Sequence, residues 1–330
     1  MTLNQDPAVT QTEAYGTAAK KFHSDVVEGL KRNPKRLSSK YFYDKNGDRL
    51  FQRIMAMPEY YLTRCELDIF SSKTSVLTSM ITQDGAAFDL IELGAGDAIK
   101  SSYLLKDLVK QKAEFTYMPI DISGNILCEL DHKLSTEIPE METISLEGEY
   151  FEMLDRASSL SHRRKVVMFL GSNIGNMEIE EAHVFCRELN KKLSPGDLLL
   201  IGFDLKKNPH SILDAYNDKT GLTAAFNLNL LARINRELGA NFKLDQFRHY
   251  QNYDPISGAC RSYLISLVDQ YVTLGNETIH FTKNEAINME VSQKFSKVEI
   301  EQLAQKSGFN IVGEIADSKG WFVDTLWKRI

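Results

Sequence analysis

Two glycines and two acidic residues carry the first chemical signal in this chain. Glu92-Leu93-Gly94-Ala95-Gly96-Asp97 closes a short apolar run, and Asp121 closes the next one, Tyr-Met-Pro-Ile-Asp-Ile-Ser. Glycines at 94 and 96 let the backbone turn tightly and approach a ligand. In an open α/β sheet the carboxyl end of a strand is where ligands bind. A carboxylate at the end of the following strand can accept hydrogen bonds from both hydroxyls of a ribose. Together they suggest a nucleoside cofactor; the plainer alternative is a structural glycine turn and a strand-end aspartate. A dinucleotide fingerprint needs a third glycine at position 99, where Ile99 stands instead, and this weakens a nicotinamide reading.

The elements that must position these residues begin near residue 86. Strand-like runs (AAFDLIEL, EFTYMPIDIS, RKVVMFL, DLLLIGFDL) alternate with helical spacings (KSSYLLKDLVKQ, GNILCELDHKL, EIEEAHVFCRELNKKL). That alternation predicts a parallel sheet covered on both faces. After Asp204 the rhythm changes. Residues 209 to 238 read as helical with a stop at Gly239, 261 to 282 as strands, 296 to 307 as a last helix, and FNIVGEIAD and GWFVDTLWK as closing strands. Residues 1 to about 20 read as a mobile tail, followed by a short amphipathic helix, FHSDVVEGLKR, capped by Ser24. The next segment crowds Tyr41, Phe42, Tyr43, Phe51, Tyr60 and Tyr61 around a turn at Asp44-Lys45-Asn46-Gly47. The expected architecture is a core α/β sheet holding an inserted module that also recruits the aromatic segment.

Composition narrows the partners. The 330 residues are 43% hydrophobic and 25% charged, with 39 basic against 45 acidic side chains and a formal charge of -6. No dense basic run tracks a phosphate backbone, so nucleic acid is not an expected partner. The cluster Arg163-Arg164-Lys165 reads as a solvated loop. Cys65, Cys128, Cys186 and Cys260 form no C-x-x-C pair and no histidine cluster accompanies them, so no metal is expected. Scattered thiols fit a reducing cytoplasm. No signal pattern or membrane-length apolar run is visible.

Several longer segments, in order, carry a specific resemblance: KYFYDKNGDRLFQRIMAMPEYYLTRCE, IELGAGDAIKSSYLL, YMPIDIS, FLGSNIGN, AYNDKTGLTAAFNLNLLARINRELGANF and MEVSQKF. Together they resemble the histidine-specific N-alpha-methyltransferases of ergothioneine biosynthesis and their family, from about residue 22 onward. The resemblance implies a class I (Rossmann-like) S-adenosylmethionine methyltransferase sheet with an inserted α+β substrate-binding domain. The core would be 65–204 completed by 295–330, and the substrate domain 20–64 with 205–294. It implies methyl transfer from S-adenosylmethionine to the α-amino group of histidine, by a monomer with a small-molecule substrate.

Residue by residue, the resemblance places cofactor contacts on Gly94, Gly96, Lys100 and Asp121, and more loosely on Glu149 and Tyr150. Substrate contacts fall on Tyr43, Phe51, Tyr60, Gly171, Asn176, Tyr216, Glu290 and Ser292. Asn176 and Tyr216 would hold the carboxylate, Asn176 and Tyr43 would orient the amine, and Glu290, Ser292 and Tyr60 would read the imidazole. These types suit the chemistry: a glutamate accepts from imidazole N–H, and aromatic faces stabilise a quaternary ammonium by about 0.5–2 kcal/mol. Without the resemblance, the aromatics read as core, Asn176 as a cap of the helix starting near Glu178, and Glu290 and Ser292 as a solvated strand face. Ser262 stands where the family commonly has methionine, which keeps tryptophan or another aromatic amino acid or amine open as substrate. A catalytically silent ligand-binding homologue is the third reading.

Overall fold

A computed structural model describes the backbone of residues 7–330 and the side chains of residues 19–330. The chain forms two compact units: a sheet unit, Tyr61–Lys207 with Gln293–Ile330, and a second unit, Met1–Tyr60 with Asn208–Ser292. It starts in the second unit with α1 (Pro7–Lys31), β1 (Lys35–Arg36) and α2 (Lys45–Met55). The sheet unit follows: α3 (Leu62–Ser72), α4 (Thr74–Ile81), β2 (Phe88–Leu93), α5 (Ser101–Lys110), β3 (Phe115–Asp121) and α6 (Gly124–Glu137). It continues with β4 (Glu142–Thr143), β5 (Leu146–Glu147), α7 (Tyr150–Leu160), β6 (Arg164–Phe169), α8 (Ile179–Lys192) and β7 (Leu198–Asp204). The chain then returns for α9 (Pro209–Tyr216), α10 (Leu222–Leu238), β8 (Phe247–Tyr253), β9 (Ala259–Ser266), β10 (Gln270–Leu274), β11 (Glu277–Phe281) and β12 (Ala286–Gln293). It ends in the sheet unit with α11 (Lys297–Lys306), β13 (Phe309–Ala316) and β14 (Phe322–Arg329).

The large sheet runs β13-β14-β7-β6-β2-β3-β4, with β5 beside β3. Strands β2, β3, β6 and β7 pair in parallel, while β14 lies antiparallel to β7 and to β13. Side chains alternate across a strand. Ile91 and Leu93, Met118 and Ile120, Val167 and Phe169, and Leu199, Ile201 and Phe203 point into one apolar cluster with Leu154, Phe185 and Leu303. Their neighbours Phe88, Leu90, Tyr117, Val166, Met168 and Leu200 are also buried, so both faces of the sheet are covered and the strands read as near-continuous apolar runs with a few buried polar residues. From β2 the chain steps outward to β3 and β4, then reverses to β6 and β7. The switch point therefore lies between the carboxyl ends of β2 and β6, where such sheets bind ligands.

In the second unit, β1, β12, β9 and β8 form a sheet in that order, and β10 pairs with β11. Helices α9 and α10 pack on β8 and β9, and α10 also packs on α2. Gly239 ends α10 with φ 67°, and its amide donates to Asn235 O at 3.1 Å, a left-handed helix stop that suits glycine.

Four sequence expectations need correction. The first helix is not short: α1 runs from Pro7 through Lys31, so Ser24 lies inside it and caps nothing, while residues 1–6 of the expected tail lie outside the described residues. Asp44-Lys45-Asn46-Gly47 is not an interrupting turn but the start of α2, with Asp44 as N-cap accepting from Gly47 N at 2.7 Å. The same residue types serve both purposes. The Arg163–Lys165 cluster is only partly solvated. Arg164 and Lys165 open β6, and Lys165 is buried and paired with Asp89 at 2.6 Å. Glu178, not Asn176, caps α8, through a reciprocal box with Glu181. No helix among the described residues is long and apolar enough to cross a membrane.

Candidate active site

The glycine turn is fixed by its neighbours in the sheet unit. Gly94 N and Ala95 N both donate to Ile120 O, at 2.8 and 3.2 Å, tying the turn to the end of β3. Gly94 has φ 75° and Gly96 φ 53°, a region that glycine enters without a Cβ penalty. A Cβ at Gly94 would also meet the Tyr150 hydroxyl at 2.8 Å, whereas nothing lies within 4 Å of one at Gly96. Beneath the turn, Glu92 is buried and accepts from the Tyr117 hydroxyl. Burial pushes its carboxyl up to about 7, against the pull of Tyr117, Ser101 and Lys100.

Asp121 sits at the end of β3, next to that turn. Its carboxylate accepts from Gly96 N at 3.3 Å and from Ser123 N at 3.0 Å. A carboxylate has about four lone-pair sites, so two amides leave capacity for a pair of ribose hydroxyls. Glu149 is exposed at the N-terminus of α7, and Tyr150 follows it with its ring edge-on to Phe169 at 5.9 Å. Burial, then the charges of Asp121 and Glu149, push the Tyr150 phenol up to about 12; it is a neutral wall of the site at ordinary pH.

At the switch point, Glu66 of α3 links two of the expected residues. Its buried carboxylate forms an ion pair with Lys100 and accepts from Gly171 N at 2.8 and 3.0 Å. Burial works against the charge on Lys100, but Glu66, Asp324 and Glu92 outweigh it and raise its pKa. Asp324 of β14 is buried, and neither of its carboxyl oxygens has a hydrogen-bond partner among the described residues. Burial and the Glu66 charge hold it well above the usual carboxylate range. Gly171 (φ 76°) and Ser172 (φ 55°) lead into the short turn Asn173–Asn176. Gly175 in that turn has no room for a Cβ, which would meet Gln293 O at 2.8 Å. Asn176 ends the turn with its side chain exposed.

Five of the expected substrate residues come together in the second unit. Tyr43 packs edge-on against Phe51 at 5.5 Å, Phe51 against Tyr60 at 6.3 Å, and Tyr60 against Tyr216 at 6.0 Å. The Tyr216 hydroxyl lies 2.7 Å from Ser292 Oγ. Glu290 is two residues before Ser292 on β12, and so on the same face of that strand. It is half-buried and Ser292 is buried, so this is not the solvated face that strand alternation alone suggested. Asp44 braces the aromatic segment from below: Asn229 Nδ2 donates to it at 2.8 Å, and Arg236 pairs with it. Gly171 and Asn176 belong instead to the sheet unit, with the cofactor residues.

The sequence reading missed Phe226 and Glu66. Phe226 of α10 contacts Phe42, Tyr43 and Phe51 at 4.8, 5.7 and 5.8 Å. Its spacing from Leu230, four residues on, was the available signal for a helix face turned inward. Glu66 sits in a polar helix stretch with no pattern of its own. Ser262, the departure from the family, is buried and donates to Gln251 Oε1 at 2.6 Å, with His249 Nε2 at 3.4 Å. Among the described residues, no group of three or more His, Cys, Asp or Glu side chains could hold a metal ion.

Residues 22–329 match the family described as histidine-specific methyltransferase, SAM-dependent. The chain is 33% identical over 307 residues to a histidine N-alpha-methyltransferase of Mycolicibacterium smegmatis, covering 92% of this chain and 90% of that one. A histidine N-alpha-methyltransferase of Mycobacterium tuberculosis is 34% identical, over 82% of this chain and 83% of that one. The ergothioneine biosynthesis protein 1 of Schizosaccharomyces pombe is 29% identical over 93% of this chain, but only 40% of its own length is matched.

Proposed function

Because the chain belongs to the SAM-dependent histidine-specific methyltransferase family, we propose that its two units divide the two substrates of an α-amino methylation of histidine. The sheet unit takes S-adenosylmethionine and the second unit takes the amino acid. The donor supplies an electrophilic methyl group on a sulfonium. The residues present fit it. Asp121 has acceptor capacity for ribose hydroxyls, the Lys100 ammonium keeps further N–H donors beside its pair with Glu66, and Gly94 and Gly96 present no side chain.

The observation that carries the histidine reading is the Tyr216–Ser292 hydroxyl pair, 2.7 Å apart, at the end of an aromatic run and two residues from Glu290. Tyr216 holds the carboxylate of the amino acid. Glu290 and Ser292 take the imidazole, with Tyr60 at its other nitrogen. Phe51 and Tyr43 offer ring faces to the ammonium that forms as methyl groups accumulate, a cation–π contact worth about 0.5–2 kcal/mol. Tyr43 is 41% exposed, which gives the amine proton a route to water. Catalysis is chiefly positioning of a neutral amine, an effect with a general ceiling of about 7–11 kcal/mol. The test is a competition assay: with all amino acids present at equal concentration, methyl label from the donor should appear on histidine. Label on tryptophan instead would assign the pocket to an indole.

A further inference from the structure

One buried charged cluster in the sheet unit has no part in the chemistry above. Asp204, the last residue of β7, is fully buried. Tyr61 Oη donates to its Oδ2 at 2.8 Å, and Lys294, also fully buried, pairs with the same oxygen at 2.7 Å. Lys207 pairs with Oδ1 and donates to Tyr61 Oη at 3.0 Å and to Leu205 O at 2.6 Å. The Asp204 backbone is held as well. Its amide donates to Ser172 Oγ at 3.2 Å, and its carbonyl accepts from Phe295 N at 2.9 Å.

The sequence positions of these partners give the cluster its meaning. The chain passes between the units at Tyr60/Tyr61, at Lys207/Asn208 and at Ser292/Gln293. Tyr61 is the first sheet-unit residue after the first passage, Lys207 the last before the second, and Lys294 the second after the third. All three passages are therefore rooted on one carboxylate. Each leads directly to a residue assigned to histidine: Tyr60 precedes Tyr61, Ser292 precedes Gln293, and α9 begins just after Lys207 and ends at Tyr216. Burying an aspartate with two lysines is costly in desolvation, and a packed apolar set would often be at least as stable. Stability alone is thus a poor explanation for the cluster.

We propose that Asp204 is a positioning residue for methyl transfer, pinning the sheet-unit ends of the three passages from which Tyr60, α9 and Ser292 depart. This rests on the reading of those residues as the histidine-binding set. It acts through them and touches neither substrate. A displacement of the reacting groups by about 1 Å costs about 100-fold in rate, so loosening three roots at once should appear in turnover and not in donor binding.

The test compares wild type with Asp204→Asn and Asp204→Glu. It measures S-adenosylhomocysteine affinity by calorimetry, kcat and KM for histidine, and hydrogen exchange of peptides spanning each passage. Asp204→Asn should keep S-adenosylhomocysteine affinity within about twofold while histidine turnover falls about 10–100-fold. Exchange should quicken at all three passages together, and Asp204→Glu should recover part of the loss. Wild-type turnover in folded Asp204→Asn would overturn the proposal. So would donor affinity lost in step with turnover, or faster exchange confined to β7. If Asp204→Asn does not fold, Tyr61→Phe removes the bond from one root to Asp204, together with the Lys207–Tyr61 bond, and the same three readouts decide on a smaller scale. If wild type itself fails to methylate histidine, the substrate reading falls, and the exchange pattern alone supports or overturns the pin.

Discussion

The hydroxyls of Tyr216 and Ser292 lie 2.7 Å apart in a buried position, although the residues are 76 positions apart in sequence. One ends α9 and the other is near the end of β12. Two adjacent hydroxyls at the head of an aromatic wall suit the recognition of a small polar molecule, since each can turn its proton to suit a partner.

Replacing Tyr216 by Phe keeps the ring against Tyr60 and removes only the hydroxyl. The KM for histidine should rise about tenfold or more, the order expected for a lost hydrogen bond to a charged group. S-adenosylhomocysteine affinity should not change. Steady-state kinetics beside calorimetry separates the two, and an unchanged histidine KM would remove Tyr216 from the carboxylate site.

Glu290→Ala should raise the histidine KM and relax the preference for imidazole over indole. A site built to pair with a polar side chain rejects analogues that leave its groups unpaired, by up to about 10⁴-fold or more. Deleting Glu290 removes that penalty. The ratio of kcat/KM for histidine to that for tryptophan should fall by about tenfold or more. A ratio equal to wild type would show that Glu290 does not read the imidazole.

Asp121→Asn bears on the donor. The amide keeps one acceptor oxygen but turns an NH2 toward one of the amides of Gly96 and Ser123 that the carboxylate now receives. S-adenosylhomocysteine affinity should drop about 10–100-fold, as expected when charge-assisted bonds are lost. Calorimetry reads this directly, and wild-type affinity would exclude Asp121 as the ribose ligand.

The sheet was legible in the sequence because each core strand is a mostly apolar run ending in a glycine or polar turn, as burial on both faces favours. The glycine turn and Asp121 stood out for the same reason. Local ambiguity hid other features. Asp44-Lys45-Asn46-Gly47 has the residues of a turn and of a helix start, and only the Asp44–Gly47 bond decides between them. Lys165 looked like part of a solvated loop because its partner Asp89 lies on another strand. The Asp204 cluster was invisible for a stronger reason: Tyr61, Asp204, Lys207 and Lys294 carry no shared spacing and meet only through tertiary folding. The candidate substrate residues came from resemblance to a family, since an aromatic run or an alternating strand by itself reads as core or surface.

The pH dependence of stability tests the half-buried histidine beside Ser262. Burial pushes His249 down to about 4 from 6.5, although the Asp218 charge and a hydrogen bond with Gln251 favour the protonated form. Between those values the unfolded chain binds more protons than the folded one, so stability rises with pH there. The contribution is complete above about 6.5 and is lost as pH falls toward about 4. Other groups titrate in the same window, so the comparison is with His249→Phe. Wild-type stability minus variant stability, from urea unfolding, should decline as the solution is acidified across this range. A flat difference, or one of opposite slope, would contradict the neutral imidazole.

The most direct measurement is the mass of histidine after incubation with the purified protein and S-adenosylmethionine. Histidine should gain methyl groups on its α-nitrogen, located by fragmentation, with S-adenosylhomocysteine formed in equal amount. Histidine recovered unchanged while the donor is bound, or methylated on its ring, would contradict this.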